Sequence, residues 1–416
     1  MDRSDLARRL GVTPHVGEPR ATPAAIEAAE PGSFMAAFAA AVAEGGPVFL
    51  SDPAWGETER AERARLMSEP SASPGETRGW LMIPSGGSGG TLKFARHDEE
   101  TLAAAVLGFS RHFGVQQVNA IGVLPLHHVS GFMAWMRCVL TGGVYRPWEW
   151  KRLEAGDAPH LPVEGDWFLS LVPTQLQRLL ARPDMVVWLR QFRAVFIGGG
   201  PMWPALSEAA AQAGLPLVLS YGMTETAAMV TAQEPEDFSS GRRDSGRPLP
   251  HARIEVTADG LVRVDAESMF RGYWPEWREK GWFGTSDLGQ LDPEGRLQVF
   301  GRSDAVIITG GKKVSPLEVE AALRATGEFS DVAVVGLADP EWGEVVVACH
   351  PAGGRAPDRE KIEQRLAGRV APHFLPKRIV AIEPWPRNAQ GKVNRAALLA
   401  AVAASARAHP GGEGRG

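Results

Sequence analysis

Several short segments of the chain carry side chains that could bind a phosphorylated ligand. Residues 221–225 read YGMTE, which places an aromatic ring (Tyr221), a hydroxyl (Thr224) and a carboxylate (Glu225) close together, with Gly222 between them. The ring can stack on a base, the hydroxyl can bond a phosphate oxygen, and the carboxylate can hold Mg²⁺. A strand-end turn with a solvated glutamate is the alternative interpretation.

Two glycine-rich segments could follow the outline of such a ligand with their backbones. Residues 85–93 read SGGSGGTLK, in which unhindered N–H groups, two serine hydroxyls and Lys93 could surround a polyphosphate. A surface linker is the alternative, and no Lys-Ser or Lys-Thr pair opens a helix as in a P-loop. Residues 198–201 read GGGP, where a flat ligand could lie on the backbone or a strand could simply turn into a helix.

Isolated polar residues further along the chain could complete a nucleotide site. Asp287, in GWFGTSDLG, could accept both hydroxyls of a ribose, although an Asx turn is common at such positions. Arg302 and Asp304 lie near the start of the segment GRSDAVIITGGKKVSPLEVEAAL. An arginine and an aspartate in a turn usually form a solvated ion pair at the surface. Lys392, in NAQGK, would by itself be taken for a surface lysine.

The elements that must position these residues follow from the hydrophobic pattern. Short apolar runs at 120–125, 168–172, 194–197 and 215–220 predict buried strands, and a helix capped by Asp98 is predicted from the spacing of Leu102, Val106, Phe109 and Phe113. Alternating strands and helices predict a parallel sheet covered on both faces, with ligands beyond the carboxyl ends of its strands. Residues 1 to about 75 contain no motif that indicates a catalytic or binding role.

Composition narrows the class of protein. With 44 basic and 49 acidic residues the net charge is −5, so nothing favours a nucleic-acid partner. The only cysteines, Cys138 and Cys349, lack metal-ligand spacing, which excludes a disulfide framework and favours a reducing cytoplasmic setting. The N-terminal residues have no apolar core of a secretory signal, and no apolar stretch is long enough to span a bilayer. A homo-oligomer is left open.

Taken together and in this order, the motifs resemble the adenylate-forming superfamily of acyl- and aryl-CoA synthetases. The similarity runs from about residue 80 to 398. It implies an α/β fold: a large N-terminal domain, residues 1–303, with mostly parallel sheets covered by helices plus an antiparallel segment, and a small mobile α+β domain, residues 304–416. It also implies ATP, Mg²⁺ and CoA, with a small carboxylic acid as the fourth partner.

The resemblance also assigns roles to the candidate residues. The phosphates would bind the loop formed by Ser85, Gly86, Gly87, Ser88, Gly89, Gly90 and Lys93. Adenine would lie against Gly198, Gly199, Gly200, Pro201, Tyr221 and Gly222. Thr224 would contact the α-phosphate, Glu225 the magnesium, and Asp287 with Arg302 the ribose. Asp304 would be the hinge, and Lys392 would bridge the substrate carboxylate and the α-phosphate.

The acid is suggested by residues 126–137. His128 matches the family position at the acyl pocket, and Arg137 lies in the apolar run FMAWMRCVL. The short length, HHVSG followed by Arg137, and YGMTETAAMVTAQ at residues 221–233 are together most similar to 2-succinylbenzoate–CoA ligases. Their substrate has a second carboxylate that a buried arginine could pair; a protein acid or solvent is the alternative partner. The absence of an aspartate near residues 127–131 argues against an amino acid substrate. A ligase for another aryl or fatty acid is a further alternative. A non-catalytic nucleotide-binding relative is another alternative, because Gly89 and Leu92 replace the threonine and proline that are usual in the loop.

Overall fold

The described residues form four sheets, and the first of them lies in the N-terminal part of the chain. The computed structural model describes residues 1–15, 17, 22–71, 78–86, 92–200, 202–353, 356–368, 370–387 and 393–408. The sheet contains β1 (Ala24–Ile26), β2 (Val48–Leu50), β3 (Leu81–Gly86) and β4 (Leu92–His97), with helices α1 (Arg3–Arg9), α2 (Pro31–Glu44) and α3 (Glu57–Ser68). Strands β1 to β3 are parallel, and β4 is antiparallel to β3.

The antiparallel pair β3–β4 changes the interpretation of the glycine-rich loop. Ser85 pairs with Lys93 and Gly86 with Leu92, so both ends of the loop belong to strands of one hairpin. The predicted loop is therefore shorter than residues 85–93, and Gly87, Ser88, Gly89 and Gly90 lie outside the described residues. The pairing also brings the hydroxyl of Ser85 and the amine of Lys93 to one end of the sheet.

The central sheet has seven strands in the order β11-β10-β9-β8-β7-β5-β6. Its strands are β5 (Asn119–Gly122), β6 (Tyr145–Pro147), β7 (Trp167–Leu171), β8 (Ala194–Ile197), β9 (Leu217–Met223), β10 (Ala228–Ala232) and β11 (Arg247–Pro248). Its helices are α4 (Glu99–His112), α5 (Val129–Thr141), α6 (Trp150–Glu154), α7 (Pro173–Leu180), α8 (Pro183–Leu189), α9 (Pro204–Gln212) and α10 (Pro235–Ser239). Strands β5 to β9 are parallel, while β10 and β11 are antiparallel additions.

Helices cover both faces of the central sheet, as predicted. Phe109 of α4 packs with Phe168 and Phe196 on one face, and Leu176 of α7 packs with Leu169 on the other, together with the neighbouring aliphatic residues of each face. Adjacent strand residues therefore point into different cores, which explains why these strands are apolar throughout rather than alternating. The Asp98 cap of α4 is also confirmed, since its side chain accepts a hydrogen bond from the N–H of Thr101.

The remaining two sheets are antiparallel or mixed. One contains β12 (Ala252–Val256), β13 (Leu261–Ala266), β14 (Phe283–Leu291) and β15 (Leu297–Arg302). The last contains β16 (Ile307–Thr309), β17 (Lys312–Val314), β18 (Ala333–Asp339), β19 (Gly343–Pro351) and β20 (Arg378–Ile382), with α11 (Pro316–Ala325), α12 (Arg359–Leu366) and α13 (Arg395–Ala408). A 3₁₀ turn, Ser303–Ala305, joins the two sheets. A domain boundary after residue 303 stays a prediction.

No helix among the described residues combines the length and the apolar character needed to cross a bilayer.

Candidate nucleotide- and acid-binding site

Strand β9 carries the YGM part of the YGMTE motif inside the sheet. The strand predicted over residues 215–220 extends to Met223, because Gly222 pairs with Met229 and Met223 with Ala228 of β10. A Cβ at Gly222 would lie 2.0 Å from the carbonyl oxygen of Ala228, so this close approach requires glycine. The predicted nucleotide contact of Gly222 is a separate question and stays a prediction.

A tight reversal after β9 presents Glu225. Residues Thr224–Thr226 form a 3₁₀ turn, and the next residues, Ala227 and Ala228, have φ angles of 49° and 77°. Positive φ is uncommon for alanine and costs free energy, so the surrounding contacts must hold the reversal in place. One of them is His97, whose Nε2 lies 2.8 Å from the carbonyl oxygen of Thr224. Because a carbonyl only accepts, Nε2 carries the proton.

The carboxylate of Glu225 is buried and hydrogen-bonded through one oxygen. Ser85 Oγ donates to Glu225 Oε1 at 2.7 Å, and the hydroxyl of Tyr273 donates to the same atom at 2.6 Å. Lys93 Nζ lies 5.2 Å from the centroid of the Tyr273 ring. The structure therefore brings together the predicted phosphate-binding residues Ser85 and Lys93 and the predicted metal ligand, through a tyrosine that the sequence analysis missed.

The donor set at Glu225 suits magnesium. Mg²⁺ prefers carboxylate oxygens and keeps several waters, so one carboxylate beside a phosphate-binding loop is a common arrangement. No hydrogen bond within the described parts of the chain uses Oε2 of Glu225, which leaves that oxygen for an ion. Residues Glu225 and Ser85 thus fit the group that the sequence analysis expected.

The predicted ribose-binding residues also lie together. The hydroxyl of Tyr221 donates to Asp287 Oδ2 at 2.6 Å, and Arg302 Nη1 lies 3.9 Å from Asp287 Oδ1. Asp287 and Arg302 are cross-strand partners on β14 and β15. Burial raises the pKa of Asp287, an effect that Tyr221 and Arg302 only partly offset. Arg302 also bridges to Asp304 at 2.6 Å, so the predicted hinge residue contacts the predicted ribose site.

The triple glycine lies at the carboxyl end of β8, as predicted. A Cβ at Gly198 would be 3.9 Å from Ser220 Oγ, on the neighbouring strand β9, and Gly199 has a φ of 76° that favours glycine. Gly200 is exposed, with no atom within 4 Å of an added Cβ. Pro201, like Lys392, lies outside the described residues, and the helix begins later, at Pro204.

His128 and Arg137 both belong to α5. His128 is the N-cap residue of the helix, and its ring centroid lies 4.2 Å from that of His127. His127 Nε2 is in turn 3.6 Å from Asp52 Oδ2. Burial acts to raise the pKa of Asp52, but the nearby His127 and the hydrogen bond from the Ala54 N–H outweigh it, and the pKa is lowered.

Asp52 corrects two expectations about the acid-binding region. It comes from the first 75 residues, which were predicted to contribute no chemistry, and it places an acid beside His127 that the sequence analysis expected to be absent. It lies two residues after the end of β2, which pairs with β3 in the first sheet, and the fold brings it beside His127 at the start of α5. The exclusion of an amino acid substrate on sequence grounds therefore loses its basis.

Arg137 is buried and has no carboxylate partner in the part of the chain that the structure describes. It is 4% exposed, its Cζ lies 4.4 Å from the centroid of the Phe109 ring, and its Nε has no hydrogen-bond partner. Within the described residues no Asp or Glu oxygen lies within 4 Å of its nitrogens, so neither a protein acid nor solvent neutralises it. Burial lowers its pKa to about 10. The buried His251 also lies near Arg137. The pKa of His251 is lowered to about 4, mainly by burial and to a smaller extent by the positive charge of Arg137.

Arg137 borders a small internal cavity between α4, α5 and the central sheet. Phe109, Phe168, Phe196 and Ser170 are among its lining residues. The cavity measures about 10 Å³, which is room for one water molecule rather than for an aromatic acid. A substrate that reaches Arg137 must therefore displace side chains.

Comparison with protein families decides the class to which these residues belong. Residues 27–274 match the model of the AMP-binding enzyme family, and residues 318–392 match that of the AMP-binding enzyme C-terminal domain. The chain belongs to the AMP-binding enzyme family. The predicted superfamily and fold are thereby confirmed, and the candidate nucleotide site lies within the matched regions or between them.

Relatives of the chain include CoA ligases. The chain is 31% identical over 312 residues to a 2-succinylbenzoate–CoA ligase of Geobacillus kaustophilus, covering 71% of this chain and 63% of the relative. It is 32% identical over 342 residues to an indoleacetate–CoA ligase of Aromatoleum aromaticum, covering 76% and 66%. It is 33% identical over 345 residues to a probable 2-succinylbenzoate–CoA ligase of Mycobacterium tuberculosis, covering 78% and 85%. The match thus spans just under two thirds of the first two relatives.

Solved structures of similar fold include o-succinylbenzoate CoA synthetases with bound ligands. The o-succinylbenzoate CoA synthetase of Bacillus subtilis in complex with the acyl-adenylate OSB-AMP has a TM-score of 0.76 at 22% identity, covering 95% of this chain and 91% of that one. An E. coli MenE variant with bound OSB-AMS has a TM-score of 0.74 at 25% identity, covering 96% and 91%. The Bacillus enzyme with ATP and a magnesium ion has a TM-score of 0.73 at 22% identity, covering 94% and 91%.

Proposed function

We propose that the chain is an AMP-forming acid–CoA ligase that converts 2-succinylbenzoate to 2-succinylbenzoyl-CoA in menaquinone or phylloquinone biosynthesis. The observation that carries this choice of acid is the buried guanidinium of Arg137, which lacks a carboxylate within the described residues. An unpaired buried charge is costly, and a dicarboxylic substrate would supply its partner while its other carboxylate is activated. The named relatives support the same choice.

The first step joins two anions, so the site must neutralise charge. A substrate carboxylate oxygen attacks the α-phosphorus of ATP, the bond to the β-phosphate bridging oxygen breaks, and pyrophosphate leaves. Lys93 and the loop that follows Ser85 would hold the β- and γ-phosphates, Thr224 the α-phosphate, and Lys392 the attacking carboxylate. Magnesium, when held by Glu225, would offset the charge of the phosphates.

The second step uses the adenylate as a leaving group. The thiol sulfur of CoA attacks the acyl carbon, its proton is lost, and the bond from that carbon to the phosphate oxygen breaks to release AMP. Tyr221, Asp287 and Arg302 would keep the nucleoside in place between the two steps. A rotation of the C-terminal region about Asp304 would replace Lys392 by the thiol, because the two steps need different groups at the same carbon.

Pyrophosphate release tests the proposal. With ATP and Mg²⁺, 2-succinylbenzoate should give pyrophosphate, and CoA should raise the rate while AMP and the thioester accumulate. Indoleacetate, benzoate and a medium-chain fatty acid form the comparison panel, because one of the relatives is named for indoleacetate. Preference for one of these acids would replace the proposed substrate, and AMP binding without turnover of any acid would indicate a non-catalytic relative.

A further inference from the structure

A short segment after β13 holds Tyr273 against the candidate nucleotide site. The N–H of Arg271 donates to the carbonyl of Arg96, and the N–H of Trp274 to that of Phe94, at 2.8 and 2.9 Å, so the segment pairs with β4. The N–H of Phe270 donates to the carbonyl of Glu225 at 2.8 Å. Tyr273 is therefore fixed by backbone contacts both to the strand that carries Lys93 and to the turn that carries Glu225.

The side chain of Arg271 strengthens this anchoring. Its Nε lies 2.7 Å from Asp98 Oδ2, and the pair is buried, with side-chain exposures of 7% and 0%. Gly272 has a φ of 121°, and a Cβ there would lie 2.7 Å from the carbonyl oxygen of Glu276. The backbone on the N-terminal side of Tyr273 thus has little freedom to move, and a rigid support is what a precisely oriented side chain requires.

The hydroxyl of Tyr273 decides which oxygen of Glu225 faces a ligand. It donates to Oε1 at 2.6 Å, and Ser85 Oγ donates to the same oxygen at 2.7 Å. Two donors on one oxygen fix the rotation of the carboxylate and leave Oε2 as the atom for a cation. Because an ionised carboxylate only accepts hydrogen bonds, the Tyr273 phenol is the donor in this contact.

The ring of Tyr273 contacts the other half of the phosphate-binding machinery. Lys93 Nζ lies 5.2 Å from the ring centroid, within the range of a cation–π interaction. Lys93 is exposed and sits at the base of the glycine-rich hairpin, opposite Ser85. One side chain therefore supports the metal-binding carboxylate through its hydroxyl and the phosphate-binding lysine through its ring.

We infer that Tyr273 is a positioning residue for magnesium–ATP: it presents Oε2 of Glu225 to the metal and holds Lys93 beside the phosphates. This inference rests on the proposed function, because it assumes that the site binds ATP. It adds a residue from outside the motifs, and it separates two effects, one belonging to the hydroxyl and one to the ring. The two effects can be measured by different substitutions.

Calorimetric titration of the full chain with ATP over a series of Mg²⁺ concentrations, and with AMP without metal, tests the inference. The quantity to compare is the Mg²⁺ concentration at which half of the metal-dependent gain in ATP affinity is reached. In Tyr273→Phe this concentration should rise roughly tenfold, because a hydrogen bond to a charged group is lost. AMP affinity should be unchanged. Tyr273→Leu should in addition weaken ATP binding without Mg²⁺, because the contact with Lys93 is also lost. Tyr145→Phe, at a partly buried tyrosine on β6, is the matched control.

A double variant shows whether Tyr273 acts through Glu225. In a Glu225→Gln background, Tyr273→Phe should cause no further change in the Mg²⁺ dependence, whereas independent effects would add. Unchanged Mg²⁺ dependence in Tyr273→Phe, or an equal loss of ATP and AMP affinity, would overturn the inference alone. Absence of any ATP or AMP binding by the unmodified chain would overturn the proposed function together with it.

Discussion

Two arginines of equal burial have opposite surroundings. Arg137 and Arg296 are each 4% exposed, but Arg296 Nε lies 3.0 Å from Asp244 Oδ1 and the guanidinium also pairs with Asp237. Removing one partner of a buried ion pair leaves an uncompensated charge, whereas removing an unpaired buried charge does not. The two residues therefore form a matched test of whether Arg137 is kept for a ligand.

We expect Arg137→Leu to fold at least as stably as the unmodified chain and to raise the KM for 2-succinylbenzoate more than tenfold, with a smaller effect on monocarboxylic acids. Arg296→Leu should instead cost about 3–5 kcal/mol of stability. Thermal unfolding and pyrophosphate release measure the two effects. Equal losses with mono- and dicarboxylic acids would show that Arg137 does not read the second carboxylate.

The burial of His97 gives a second prediction, for pH. Burial lowers its pKa from 6.5 to about 4, so the folded chain keeps it neutral where the unfolded chain would protonate it. Its contribution to stability is complete above pH 6.5 and declines as the pH falls towards 4, by up to about 3 kcal/mol. His251 acts in the same direction.

His97→Gln should flatten the loss of thermal stability between pH 7.5 and pH 4.5, because glutamine does not titrate and can still donate to the carbonyl of Thr224. His160→Gln, at an exposed histidine, is the control and should leave the profile unchanged. If the His97→Gln profile matches that of the unmodified chain, protonation of His97 does not contribute to the pH dependence.

At the scale of elements, the sequence predicted strands better than the contacts between them. Strand β8 was predicted with its observed ends, because its four apolar residues are bounded by an arginine and a glycine. Strand β9 was predicted to end at Ser220 because the aromatic, glycine and polar residues that follow look like a turn. Its last three residues belong to the sheet only through pairing with β10, a long-range contact that alternation does not encode.

The same reasoning explains which site residues were found. Tyr221, Asp287 and Arg302 occur in recognisable motifs, and the structure joins them. No motif marks Asp52, His97 or Tyr273. Asp52 reaches the site through the pairing of β2 with β3, and His97 lies at the end of β4. Tyr273 reaches the site through a β-bridge with Ala95. Spatial convergence of distant segments is what a single sequence could not supply here.

Two glycines at the ends of neighbouring strands should respond differently to substitution. Gly222→Ala places a Cβ 2.0 Å from a backbone oxygen, so we expect a loss of at least about 2 kcal/mol and a lower Tm. Gly200→Ala meets no atom within 4 Å and should leave the Tm unchanged, while weakening AMP binding if adenine lies on the glycines. An equal drop of Tm in both variants would contradict the assigned packing at Gly222.

At the scale of the whole molecule, the C-terminal lysine is expected to act in only one of the two half-reactions. Lys392→Ala should lower acyl-adenylate formation by on the order of 100-fold or more, because the charge of the attacking carboxylate is then not offset. Thioester formation from supplied acyl-adenylate should persist. Lys361→Ala, at an exposed lysine of α12, is the control, and an equal loss in both half-reactions would contradict a role limited to adenylation.

The β3–β4 hairpin separates the chemistry of the phosphate loop from the integrity of the fold. Its base is closed by the Gly86–Leu92 pair, so residues 87–91 can vary in sequence or length at small entropic expense. A library randomised over these positions should consist almost entirely of folded proteins that differ in their avidity for ATP. Departures such as Gly89 can therefore accumulate during evolution without endangering the protein, and the loop is a natural place for engineering nucleotide preference.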